Sequence, residues 1–404
     1  MTDITVCHRA PWLVTGRPGE TGPLADGAVV VAHGRIVALG RYAECRGLAG
    51  KVVDHQGCVL VPPLVNGHTH LELSHLSELG KGEGAAGDLP GWIASLLGLR
   101  AERAASGAEN ASRAHDTLAQ LHCSGCGLVA DIGNEPASAL FGNASPVAVL
   151  FFQEVLGSSR AGEERGLALL DAATDDLFLT GHAPYSVAPG LLRKLKERAR
   201  RLGHLFSIHL AESTDEVALL NDGRGGFPEL FRKLGVWDGS FKVPGTSPVA
   251  YLDRLGVVDA NTLCVHCVQV DDDDIAVLAR RGARVCLCPG SNRFLGVGRP
   301  PVERMVAAGI LPALGTDSLA SNPVLSLWRE MGIVRQEHPA IPPATVFAMA
   351  SRGGAQALGY GETHGRLAVG RPAAMLSVSC PAVGQGEVLE FLTTVGDTAA
   401  VSWL

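Results

Sequence analysis

The sequence predicts an α/β protein: a (β/α)8 TIM-type barrel with a small β-sandwich domain built from both chain termini. Two observations carry that prediction. From residue 59 onward, short apolar runs alternate with longer amphipathic segments rich in Ala, Leu and Arg, the rhythm of strand-then-helix units. Before that point, and again past residue 362, the composition turns to short strands and turns. Neither end alone has enough apolar area to be stable, so residues 1–58 and 362–404 are expected to form one small domain. Residues 59–361 are then the barrel.

Taken in order, residues 27–40 read as a hairpin, with Ala28-Val29-Val30-Val31-Ala32 turning at His33-Gly34 into Arg35-Ile36-Val37-Ala38-Leu39. The strand candidates that follow lie near 59–66, 127–132, 147–153, 177–182, 205–210, 262–267, 283–288 and 309–316. Helical patterns fall between them, for instance at 191–202, 271–281 and 301–308. Eight such units in series argue for a closed parallel barrel, because an open doubly wound sheet would carry a Gly-rich phosphate fingerprint that this chain lacks. Two long segments rich in Gly or Pro, 76–99 and 221–250, would then overhang the catalytic face.

Composition narrows the function. Of 404 residues, 46% are hydrophobic and 19% charged, ample for a buried core and contrary to disorder. A net charge of -7 without any basic block argues against nucleic-acid binding. Met1-Thr2-Asp3-Ile4-Thr5-Val6 lacks the basic flank and apolar core of a secretory leader, and no apolar run reaches membrane-spanning length. A cytoplasmic protein with no membrane partner is expected. Ten cysteines lie among strand-like segments without a disulfide scaffold's spacing. Cys123-Ser-Gly-Cys126 and Cys264-Val-His-Cys267 are too far apart to read as one zinc site, so buried thiols are the simpler expectation.

His68-Thr69-His70 follows a run of small apolar residues, and His182, His209, His266 and Asp317 each sit just past a later one. Two histidines one residue apart on a strand point to the same side, so they can grip one metal ion together. His209 and Asp317 add nitrogen and oxygen ligands suited to zinc or ferrous iron. All of these positions fall at the C-terminal ends of candidate strands, the face where barrel enzymes build their sites. Glu212, three residues past His209, is a candidate proton shuttle beside a metal-activated water.

Four motifs carry a resemblance across nearly the whole chain: His68-Thr-His70, His209-Leu-Ala-Glu212, Val265-His266-Cys267 and Leu314-Gly315-Thr316-Asp317-Ser318. With them the chain resembles the amidohydrolase superfamily, in the deaminase group acting on cytosine, guanine and S-adenosylhomocysteine. His70-Leu71-Glu72-Leu73-Ser74, His182-Ala-Pro-Tyr185-Ser186, the stretch Cys288 to Gly296 and Asp317 to Asn322 are most similar to aminodeoxyfutalosine deaminases. Gly290 departs from the pattern, where a basic residue is expected.

The resemblance implies one divalent metal, Zn(II) or Fe(II), held by His68, His70, His209 and Asp317. No lysine stands where two-metal members carry a bridging carboxylated lysine; Gln153-Glu154 and His182 are there instead. It further implies hydrolytic deamination of an aminopurine nucleoside-like substrate, 6-amino-6-deoxyfutalosine to futalosine on a route to menaquinone. Glu212 would protonate the ring nitrogen, Asp317 would take a proton from water, and His266 would steady the new oxygen. The substrate contacts it suggests are His182, Glu72, Trp92, Ser318, Asn292 and Arg293, with Arg293 or Arg100 facing a carboxylate. Deamination of adenosine or S-adenosylhomocysteine, halide or amide hydrolysis on the same scaffold, and a non-catalytic relative are the competing expectations. Barrels of this kind often pair, so a homodimer is compatible.

Overall fold

A computed structural model describes residues 5–103, 107–135, 145, 147–381 and 383–404. Met1 to Ile4, part of the N-terminal stretch read above, lie outside the described residues. The two chain ends meet in one seven-stranded sheet. Its order is β15 (Val401–Trp403), β14 (Leu376–Ser379), β5 (Cys58–Val61), β1 (Val6–Leu13), β2 (Leu24–Ala32) and β3 (Arg35–Arg41), with β4 (Lys51–Asp54) also on β1. This is a single hydrogen-bonded sheet where the sequence led us to expect a sandwich. The hairpin between β2 and β3 turns at His33 and Gly34, with φ of 50° and 69°, the paired left-handed residues that a two-residue turn needs.

The run at 59–66 is two strands, not one. Pro62 and Pro63 interrupt it, since proline offers no N–H to a ladder. The first part, β5, pairs antiparallel with β14, and the second, β6 (Leu64–Thr69), opens the parallel region. Two four-stranded parallel sheets follow. One runs β6, β7 (Cys126–Gly133), β8 (Ala148–Val155) and β9 (Phe178–Gly181). The other runs β10 (Phe206–Leu210), β11 (Thr262–His266), β12 (Arg284–Leu287) and β13 (Ala313–Leu314).

Hydrogen bonds join the two sheets at both seams. His209 N donates to the His182 carbonyl at 3.0 Å, and Thr180 Oγ1 donates to the Ser207 carbonyl. On the other side Thr316 N donates to the His68 carbonyl at 3.0 Å, and Asn66 Nδ2 to Thr316 Oγ1 at 2.7 Å.

Period-two alternation sorts the strand residues into two cores. Leu263, Val265, Cys286 and Cys288 pack in one cluster with Leu128, Ala130 and Ile132. Cys264, Val285 and Leu287 pack in another, against helices. The cysteines of these strands are therefore small apolar fillers, and all ten in the chain are free thiols.

The helices obey their local signals. Pro189–Leu202 begins on proline, buries Leu191, Leu192, Leu195 and Ala199, and ends at left-handed Gly203. Among the described residues no helix is long and apolar enough to cross a membrane.

Candidate active site

The C-terminal ends of the parallel strands bring the predicted histidines together. Nε2 of His209, at the end of β10, stands 3.2 Å from Nε2 of His70 and 3.2 Å from Nε2 of His68. Asp317 Oδ1 lies 3.8 Å from His70 Nε2 and 4.0 Å from His68 Nε2. The backbone is held in unusual shapes here: Ala211, His266, Cys267 and Asp317 all have positive φ, between 46° and 72°. Such conformations cost about 1–3 kcal/mol each in non-glycine residues and persist only where surrounding structure holds them.

The donor set fits a divalent cation. Nitrogens about 2.0–2.1 Å from a tetrahedral ion lie about 3.3 Å from each other, which the 3.2 Å spacings match. His209 Nδ1 faces the His182 carbonyl at 2.8 Å, so it carries the proton and Nε2 is left with its lone pair toward the cluster. Burial pushes the His68 and His209 imidazoles well below their ordinary range, with neighbouring imidazoles adding to it. Neutral imidazole is the ligand form. His68 Nδ1 is buried and has no hydrogen-bond partner among the described residues.

Two carboxylates near the cluster are pushed in opposite directions. Burial raises Glu212, against the pull of His266, whose Nε2 is 3.6 Å from Glu212 Oε1. Burial would also raise Asp317, yet its histidine neighbours and Ser291 hold it down to about 2. Its oxygens accept from Ser291 Oγ and from the Ser318 N–H, each at 2.7 Å, and both donors favour the ionised form. Glu154 is pushed up to about 7 by burial, and its Oε1, 3.9 Å from His209 Nδ1, has no hydrogen-bond partner among the described residues.

A cavity of about 300 Å³ opens on the cluster. His70, His182, His209, Glu212, His266 and Asp317 line its polar pole, together with Glu72, Trp92, Arg100 and Ser318. Glu72 is less free than the sequence implied: its Oε2 accepts the N–H groups of Asn134 and Glu135 at 2.7 and 3.0 Å. His182 Nδ1 is 2.7 Å from Ser186 Oγ, and burial pushes its imidazole down to about 4.

Two expected substrate contacts lie elsewhere. Asn292 is not part of the lining; its Oδ1 is 3.0 Å from His266 Nδ1, so it orients that imidazole. Arg293 turns away from the cavity to pair with Glu337 at 2.9 Å and Gln336 at 3.2 Å. Consecutive helical residues project about 100° apart, which separates the two side chains.

Gly290 has a geometric reason. A Cβ there would stand 2.5 Å from Glu330 Oε1 and 2.8 Å from Arg329 Nη1. Arg329 thus places a guanidinium where the family pattern led us to expect a basic side chain.

Several residues that position the site were missed. Ser291 holds Asp317. Glu216 accepts both the Ala211 and Glu212 N–H groups at 2.9 Å. Ser213-Thr-Asp-Glu216 carries the Ser-x-x-Glu capping signature and could have been read. Phe227, Leu230, Phe231 and Leu234 also line the cavity, at spacings of three, four and seven that mark one helix face.

Comparison with known proteins agrees with this geometry. The model of the amidohydrolase family matches residues 59–395. An aminodeoxyfutalosine deaminase from Deinococcus radiodurans is 33% identical over 366 residues, covering 86% of this chain and 84% of its own. A 5-methylthioadenosine/S-adenosylhomocysteine deaminase from Nitratidesulfovibrio vulgaris is 29% identical, covering 88% and 79%. Among solved structures, Helicobacter pylori aminofutalosine deaminase in complex with methylthio-coformycin superposes with a TM-score of 0.81 at 25% identity, covering 96% and 95%. The chain is an enzyme of the amidohydrolase family, similar to hydrolytic deaminases.

Proposed function

We propose that the chain deaminates an aminopurine nucleoside, and that its substrate is 6-amino-6-deoxyfutalosine, converted to futalosine on a route to menaquinone. The observation that carries the reaction class is geometric: three imidazoles and Asp317 converge at one end of the cavity, and the buried Glu212 carboxylate lies beside them, its Oε1 3.6 Å from His266 Nε2. The substrate assignment is supported by the likeness to aminofutalosine deaminases in sequence and in fold.

His68, His70, His209 and Asp317 would hold one divalent cation, zinc or ferrous iron. When bound, it supplies acidity, lowering the pKa of water toward neutrality. Glu212 keeps a proton and gives it to the ring nitrogen beside the carbon that bears the amine. Asp317, ionised, takes the proton that the attacking water releases. His266, oriented by Asn292, steadies the oxygen that adds to the ring. Asp317 passes that proton to the exocyclic amine, which leaves as ammonia, and the hydroxyl proton of the adduct returns to Glu212 as the ring carbonyl forms and conjugation is restored.

The cross-seam hydrogen bonds support closure of the two parallel sheets into one eight-stranded barrel. We place the barrel at about 64–361, with the terminal segments as a separate small domain. Ten free thiols are in keeping with a reducing, cytoplasmic setting. A second substrate reading, 5-methylthioadenosine or S-adenosylhomocysteine, is favoured by the Nitratidesulfovibrio relative.

An ammonia-release panel on metal-replete enzyme separates the two. It compares aminodeoxyfutalosine, adenosine, S-adenosylhomocysteine, cytosine and guanine. Highest kcat/KM on aminodeoxyfutalosine is expected; faster turnover of S-adenosylhomocysteine or adenosine would displace that substrate while leaving the chemistry in place.

A further inference from the structure

A second cavity, of about 600 Å³, lies at the opposite end of the parallel strands from the histidine cluster. Leu311, which precedes β13, lines it, whereas Asp317 follows that strand at its other end. Its walls come from distant parts of the chain: the loop between β1 and β2, the segment 342–345, and the Val388–Thr394 helix with the residues just before it. Gln385 Nε2 donates to the Pro23 carbonyl at 2.8 Å and ties the first of these walls to the last. Pro23, Leu311, Pro342, Pro343, Ala344 and Leu389 make the lining mainly apolar. A concave, mostly apolar cavity with a few placed polar groups is the usual form of a small-molecule site.

Arg352 supplies the charge. It belongs to a π-helical turn, Met349–Gly353, a widened geometry that recurs at functional sites. Its side chain lines the cavity with Nε buried, and its guanidinium has no hydrogen-bond or ion-pair partner among the described residues. Burial and the neighbouring Arg366 hold it below its ordinary range, while Glu20 acts the other way. Glu20 is committed to its own loop: its oxygens accept from Thr15 N at 3.0 Å, Thr15 Oγ1 at 2.8 Å and Gly16 N at 2.7 Å. Arg366 faces the exposed Glu362 at 3.5 Å. A partly buried guanidinium without an acceptor weakens the fold, and an acceptor from outside the chain would satisfy it.

We propose that this cavity binds a small organic monocarboxylate, its apolar body against the prolines and leucines and its carboxylate paired with Arg352. One unpaired guanidinium matches one negative charge, and its planar fork matches the two oxygens of a carboxylate. A phosphate dianion would bring a second charge into an apolar cavity beside Glu20, which disfavours it. The site shares no lining residue with the catalytic cavity and does not depend on which nucleoside is deaminated.

The test titrates the metal-replete enzyme with hexanoate, hexanamide and inorganic phosphate by isothermal titration calorimetry. Hexanoate should bind more tightly than phosphate, and with a Kd below that of hexanamide by roughly tenfold or more, the scale of one charge-assisted pair. In Arg352→Met the hexanoate and hexanamide Kd values should converge to within about twofold, while Arg352→Lys, which keeps the charge, should retain part of the preference. Arg352→Met should also melt no lower than wild type, since it keeps the apolar stem and loses an unpaired charge. Thr345→Trp, which fills the cavity without altering its charge, should abolish hexanoate binding. A wild-type enzyme that does not distinguish acid from amide, tighter binding of phosphate than of hexanoate, hexanoate binding that survives Thr345→Trp, or an Arg352→Met variant with the wild-type ratio overturns the proposal.

Discussion

Replacing Glu216 by alanine should damage catalysis from outside the cavity. Glu216 is fully buried in the first turn of the Thr214–Asp222 helix, and it is not among the residues that line the cavity. Its two oxygens each accept one N–H at 2.9 Å, from Ala211 and from Glu212. Ala211 sits at φ 52°, so the chain turns sharply between His209 and Glu212 and the carboxylate clamps that turn. Without it, two buried donors lose their acceptors, at about 1–3 kcal/mol each, for a loss of about 2–6 kcal/mol in stability. A displacement of Glu212 by about 1 Å would lower kcat by about a hundredfold, with a smaller change in KM. Glu216→Gln keeps one carbonyl acceptor and should fall between wild type and Glu216→Ala in both readouts. Denaturant unfolding and steady-state ammonia release measure the two effects. A Glu216→Ala protein with wild-type unfolding midpoint and wild-type kcat would refute the clamp.

The remaining predictions concern the proton relay, a buried charge and a close-packed glycine. Glu212→Gln should lower kcat by about 10²–10⁴ while leaving bound metal and fold intact; substantial turnover would remove Glu212 from the relay. Burial pushes Glu330 up to about 7, above its value in the unfolded chain, so folding favours its protonated form. Its stabilising contribution is present at low pH and is lost as pH rises through about 7. The stability difference between wild type and Glu330→Gln should therefore change between pH 5 and 8, to wild type's disadvantage at the higher pH; a constant difference would contradict the argument. Gly290→Ala places a Cβ 2.5 Å from Glu330 Oε1. Overpacking of this kind costs about 1–3 kcal/mol, and a thermal midpoint equal to wild type would show that the neighbours give way.

Much of the site was legible because it is written at strand ends. An apolar run fixes where a strand ends, and polar residues at or just past that end gather at one face, so His68, His70, His209, His266 and Asp317 could be grouped without knowing any contact. The turn at His33-Gly34 was local chemistry of the same kind. What escaped depends on neighbours distant in sequence. Nothing in the run at 59–66 says that its first part pairs with residues 376–379. The Pro62-Pro63 pair marks where that run splits, since neither residue can donate to a ladder. Asn292 and Arg293 looked equivalent as motif residues, yet one step along a helix sends one to His266 and the other to Glu337. Gly290 is explained by Arg329, from another helix, which fills the space beside it.

The whole account depends on side chains from β6, β10 and the segment after β13 sharing a single cation. Elemental analysis of unchelated protein, with anomalous diffraction from crystals of the same material, tests this directly. The account predicts one zinc or iron per chain, bound by His68, His70, His209 and Asp317, and lost in His209→Ala. Absence of a stoichiometric metal, or an ion bound at other residues, would contradict it.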